Sequence, residues 1–218
     1  MATAVAPPKP RLRGWLHLCT TPLALIGGLV LTAKGTTYAN RVAIAVFTAT
    51  ACLMFGTSAM YHLGTWPPRV VAVLRRLDLA NIALIIAGTY TPIAVAILPH
   101  TQTVVLLSIV WVAASAIVIS SVVGYLVHLT APRWLYTAMY IALGWAAVFW
   151  LPDLLHYGGV VNFLLIVAGG VLYTAGGVVY ALRRPVLAPR TFGFHELFHA
   201  CTVAAFLCHF VVVARVAC

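Results

Sequence analysis

The sequence predicts an all-α, polytopic membrane protein with seven transmembrane helices, its N-terminus cytoplasmic and its C-terminus outside. Three observations carry that expectation. Of the 218 residues, 63% are hydrophobic and only 7% are charged, whereas a soluble domain carries about a quarter charged residues. Mean hydropathy is +1.05, and apolar stretches of about 20 residues, the length that spans a bilayer, recur along the whole chain. The formal net charge is +10, but the basic residues sit at the ends of the apolar runs and form no face or tail. That placement sets membrane orientation and does not point to nucleic acid.

Residues 1–14 are Pro-rich and basic and read as a cytoplasmic tail. No A-x-A site followed by a polar mature region appears, so the first span is expected to be uncleaved. Residues 15–218 then form a single transmembrane domain. Helix 1 covers 15–33, carries the small Gly27-Gly28 pair that lets helices approach, and stops at Lys34-Gly35. Helix 2 covers 42–63 and ends in "SAMYHLG" before the turn "GTWPPR". Helix 3 covers 78–98, opens on "RRLDLAN" and ends at Pro99-His100. Helix 4 covers 103–127 and stops before Ala131-Pro132-Arg133. Helix 5 covers 134–151 and is bounded by Pro152-Asp153. Helix 6 covers 159–182, with glycine pairs at Gly169-Gly170 and Gly176-Gly177. A segment from Arg183 to Arg190 with two prolines leads to helix 7, at 192–214.

The distribution of Lys and Arg tests this scheme. Seven spans place Lys9, Arg11, Arg13, Arg69, Arg75, Arg76, Arg133, Arg183, Arg184 and Arg190 on one side, and leave only Lys34, Arg41 and Arg215 on the other. The positive side is the cytoplasm. Trp15, Trp66, Trp134 and Trp150 fall near the expected membrane boundaries, where aromatic belts form. The five cysteines form no C-x-x-C pair and read as small packing residues.

Ionisable residues inside spans are costly and mark function. His62 lies near the cytoplasmic end of helix 2, Asp78 at the start of helix 3, and His195 and His199 in the first turns of helix 7. Three separate helices thus bring three histidines and a carboxylate to one depth, in a chain with only three acids. Taken singly, His62 reads as an interfacial histidine, Asp78 as a helix N-terminal acid or partner of Arg75 or Arg76, and the His pair as interhelical hydrogen bonding. Together they read as a metal site. Histidines at i and i+4 share a helical face, and three protein ligands with a fourth position open is the catalytic zinc arrangement. Asp78 would be the group that takes a proton beside the metal. Ser58, one turn before His62, either joins this shell or bonds back to its own helix. The remaining histidines, His17, His100, His128 and His156, are expected at membrane interfaces, and His209 is expected to be packed or hydrogen-bonded within helix 7.

His195-Glu196-x-x-His199 also spells the H-E-x-x-H of zinc proteases. No carboxylate follows position 196, and no histidine stands at metzincin spacing. Glu196 is therefore expected to be a polar residue of the cytoplasmic side near the Arg-rich loop, with no role as a base. Haem between spaced histidines is a further alternative, disfavoured because one helical face suits a compact ion better than two sides of a macrocycle.

"SAMYH", "LRRLDLANIALIIAGTYTP" and "FGFHELFH" together resemble the hemolysin III family, the bacterial branch of the progestin and adipoQ receptor family, over essentially the whole chain. The resemblance implies zinc ligands at His62, His195 and His199, with Asp78 and Ser58 beside them, and a multi-pass protein of the bacterial cell membrane. Eukaryotic relatives are receptor-like, and the adiponectin-responsive ones resemble zinc-dependent ceramide amide hydrolases. The expected activity is hydrolysis of a lipid amide or ester near the cytoplasmic leaflet, with Zn2+ as cofactor and a membrane lipid as substrate. The alternatives are a sensor or receptor with a structural zinc, and a haemolysin-like membrane-perturbing protein. The chain shows no continuous polar stripe that would line a pore.

Overall fold

In hydrocarbon each backbone N–H and C=O must find its partner within its own segment, so long apolar runs fold as helices. A computed structural model describes residues 10–126 and 132–218; His128 lies outside the described residues. In chain order they form α1 (Trp15–Lys34), α2 (Tyr38–Leu63), α3 (Pro68–Ile97), α4 (His100–Leu126), α5 (Arg133–Gly144), a 3-10 segment (Ala146–Trp150), α6 (Leu151–Leu182) and α7 (Phe194–Val216). No β-strand occurs among the described residues, so the chain is all-α.

Among the described residues, five helical stretches are long and apolar enough to cross a membrane: Trp15–Lys34, Tyr38–Leu63, His100–Gly124, the run Trp134–Leu182, and Phe194–Val216. The outer surface agrees, since Leu23, Val112 and Phe149 are 69%, 70% and 82% exposed. Such an apolar exterior suits lipid, and the chain is a multi-pass membrane protein. The five cysteines are all free.

Two expectations change. Helix 3 was expected from residue 78, but α3 begins at Pro68, so Asp78 lies almost three turns inside it and is not a helix-terminal acid. Proline fits the first helical turn, where its missing N–H is not needed, and the charged residues between 69 and 78 extend the helix beyond its apolar part. The break expected at Pro152-Asp153 falls earlier, at the 3-10 segment, with Pro152 in the first turn of α6. The helical backbone of α6 is interrupted again at Gly159, with φ 76°.

Short links are held by specific bonds. Thr37 caps α2, accepting the Asn40 N–H at 3.1 Å, which satisfies an otherwise unpaired donor. The Trp66 indole donates to the Met60 carbonyl at 2.8 Å at the other end of α2. Inside the bundle α3 packs against α2, α4, α5, α6 and α7. Phe206 of α7 meets Phe47 and Phe55 of α2 at ring-centroid distances of 5.2 and 5.1 Å. Because lipid tails are as apolar as Phe, these contacts hold helices by close packing more than by transfer from water.

Candidate metal centre

The centre is assembled from α2, α3 and α7, with Gly14, just before α1, close against His62. His62 closes α2, while His195 and His199 stand one turn apart on α7. One nitrogen from each of these three imidazoles lies within 4.8 Å of the others, and the Nε2 atoms of His62 and His195 are 3.1 Å apart. His62 and His199 are 6% and 2% exposed. Such a buried, convergent set of ring nitrogens can hold a metal ion. The rings of His195 and His199 are only 4.5 Å apart between centroids, which leaves no space for a macrocycle between them.

Asp78 reaches the same place from α3. Its Oδ2 is 3.8 Å from His62 Nε2, and it accepts a hydrogen bond from the buried Ser58 hydroxyl. Two neighbours fix that register. Asn81, one turn further along α3, donates to the Leu53 carbonyl and the Thr57 hydroxyl of α2, each at 3.1 Å. Tyr140 of α5 donates to the Leu79 carbonyl at 2.8 Å. All five residues singled out in the sequence therefore come together in one place.

Glu196 does not join them. Its Oε2 accepts the Gly193 N–H at 2.7 Å, capping α7, and its Oε1 accepts a hydrogen bond from Arg13. Both carboxylate oxygens are committed to the helix start and to the N-terminal segment, so the protease-like spelling has a structural cause. The same segment is held by the bond from Arg11 N–H to the Arg190 carbonyl at 3.0 Å. It then turns into α1 at Gly14, where φ is 88° and an added Cβ would stand 2.8 Å from the Cβ of His62. That backbone conformation and that approach both require glycine.

His17 was expected at an interface, and the structure overturns this. It is 2% exposed, its ring is stacked on that of His199 at 3.8 Å with an interplanar angle of 11°, and Phe55 meets it edge-on at 5.0 Å. Neither of its ring nitrogens has a hydrogen-bond partner among the described residues. Its position near the start of helix 1 is the signal that would have placed it at the depth of the other three histidines. By contrast, His100 and His156 are exposed, and the Nε2 of His209 faces the Ile166 carbonyl at 3.2 Å.

The cluster opens on a cavity of about 730 Å³. Its lining includes Arg13, Trp66, Arg75 and Arg76 together with the apolar Ile82, Ile86, Ile93 and Leu106. Basic groups, a metal-competent cluster and an apolar interior thus share one continuous space, which suits an amphiphile.

The family model for "Haemolysin-III related" proteins matches residues 5–210. Hemolysin-3 of Bacillus cereus is 30% identical over 151 residues, 69% of this chain and 67% of that protein. The Hemolysin-3 homolog of Bacillus subtilis (strain 168) is 26% identical over 143 residues, 66% of this chain and 65% of that protein. The match thus spans about two thirds of the length of each relative.

Proposed function

The chain belongs to the haemolysin-III related family, and from the site above we propose that it is a zinc-dependent hydrolase of a lipid amide or ester bond. It would cross the cell membrane seven times, N-terminus inside, with the site near the cytoplasmic leaflet. The observation that carries this reading is the convergence of three imidazoles with a Ser58–Asp78 pair at one cavity wall. The donor set fits zinc: neutral nitrogen ligands, an i, i+4 pair and a third from a second helix, with cavity space alongside. His62, His195 and His199 would hold it. Zinc bound there supplies Lewis acidity, polarising a carbonyl and acidifying water.

The protein's own groups do the rest. The apolar part of the cavity takes an acyl chain, and the bond to be broken lies beside Asp78. As water adds to the carbonyl carbon, Asp78 accepts its proton. The carbon–nitrogen or carbon–oxygen bond then breaks, and Asp78 returns the proton to the leaving amine or alcohol. Ser58 donates to the Asp78 carboxylate and so orients it. Arg75 and Arg76 attract an anionic headgroup or the released carboxylate.

The test is turnover of a fluorogenic N-acyl amide lipid by the zinc-loaded, detergent-purified protein and by Asp78→Asn. Hydrolysis that Asp78→Asn abolishes while metal and fold persist supports the proposal. Zinc-loaded protein that turns over neither amide nor ester leaves a structural zinc tying α2 to α7, the arrangement of a sensor or of a membrane-perturbing protein. The name Hemolysin-3 carried by the relatives favours that as the second reading.

A further inference from the structure

We propose that Tyr173 and His209 form a second polar subsite, deep in the same cavity, for a hydroxyl group on a lipid-like ligand. Both residues line the cavity, on α6 and α7, with ring centroids 5.8 Å apart. His209 is 8% exposed. Its Nε2 lies 3.2 Å from the Ile166 carbonyl oxygen, which only an N–H can satisfy, so Nε2 carries the hydrogen. A neutral imidazole has one donor and one acceptor, so Nδ1 is left as an acceptor. That Nδ1 and the Tyr173 hydroxyl are both buried with no partner among the described residues.

The place is kept open for these groups. Gly169 faces the His209 ring, and a Cβ there would come 2.8 Å from Cδ2, so α6 admits the imidazole only because position 169 has no side chain. Buried polar atoms are as a rule paired, and a ligand group that pairs both must accept from Tyr173 and donate to Nδ1. A hydroxyl does both. A carbonyl or carboxylate satisfies Tyr173 and leaves Nδ1 bare, and a methylene chain satisfies neither. His209 follows His199 by ten residues on α7, about 15 Å along the helix axis. A ligand with its head at the histidine cluster would therefore carry the hydroxyl well down its chain, past Ile86 and Ile141 of the cavity wall.

This inference rests on the cavity being a lipid site, and the experiment separates the two. Full-length, detergent-purified protein is titrated with stearate and with stearates hydroxylated at successive mid-chain carbons, by displacement of radiolabelled palmitate. One isomer should bind about tenfold more tightly than stearate, the worth of one to two hydrogen bonds. That advantage should fall below about twofold in Tyr173→Phe, and likewise in His209→Phe, with stearate affinity in Tyr173→Phe unchanged. Stearate binding with no preferred isomer would overturn the subsite while leaving the lipid cavity standing, water then pairing the two groups. A preference that persists in both variants would also overturn it. Binding of no chain at all would overturn subsite and lipid cavity together.

Discussion

The imidazole of His17 lies flat against that of His199, 3.8 Å away between centroids and 11° from parallel. His17 is thus a wall for a candidate metal ligand, with Phe55 behind it, and it fixes the plane in which His199 presents its nitrogen. Groups that orient a metal ligand change affinity by about 10–100-fold when removed. His17→Ala should weaken zinc binding by at least about tenfold in a chelator competition. His17→Phe, which keeps the flat ring, should restore most of it. Equal affinities for wild type and His17→Ala would mean that the stack positions nothing.

Glu196 supplies a second test. Its carboxylate is fully buried and paired with Arg13, and breaking a buried pair by removing one partner costs about 3–5 kcal/mol. Glu196→Gln, which keeps the bond to the Gly193 N–H, should lower the unfolding temperature in detergent yet retain bound metal and turnover. A protein that keeps its stability but loses all hydrolysis on this change would revive the protease-like role of the motif.

Asn81 holds α3 to α2 through two hydrogen bonds. Bonds of this kind between membrane helices contribute about 0.6 kcal/mol each, so Asn81→Ala should cost about 1 kcal/mol in a thermal melt. The larger consequence is positional. With the register of α3 loosened, Asp78 leaves the histidine cluster, and turnover should fall more than metal content does. Unchanged turnover would show that α3 is registered by other contacts, such as the bond from Tyr140 to the Leu79 carbonyl.

Gly14 joins the N-terminal segment to α1 in a left-handed conformation and abuts His62. An alanine there carries about 1–2 kcal/mol of backbone strain and pushes on the Cβ of His62. Gly14→Ala should therefore reduce both stability and metal affinity, measured by thermal unfolding and chelator competition. Loss of stability alone would separate the turn from the metal centre.

Much of this was legible in the chain itself. The apolar runs gave the helical class and the membrane setting, and an i, i+4 histidine pair plus polar residues at matching span ends gave His62, Asp78, His195 and His199. What escaped was information carried by distant partners. The start of α3 was hidden because Arg69, Arg75 and Arg76 resemble loop charges, although Pro68 is a good first-turn residue. The link between Arg13 and Glu196 spans 183 positions and leaves no local trace. His17 was set aside as a boundary residue, yet the depth argument that grouped the other histidines applies equally to it. The pairing of Tyr173 with His209 depends on how α6 and α7 face each other, which no periodicity reports.

The most direct measurement of the central claim is the metal content of the detergent-purified protein by mass spectrometry, for wild type, His62→Ala, His195→Ala and Asp78→Ala. Zinc near one equivalent per chain, lost with either histidine and retained without Asp78, is the predicted result. Folded wild-type protein that takes up no metal from zinc-containing buffer would contradict it.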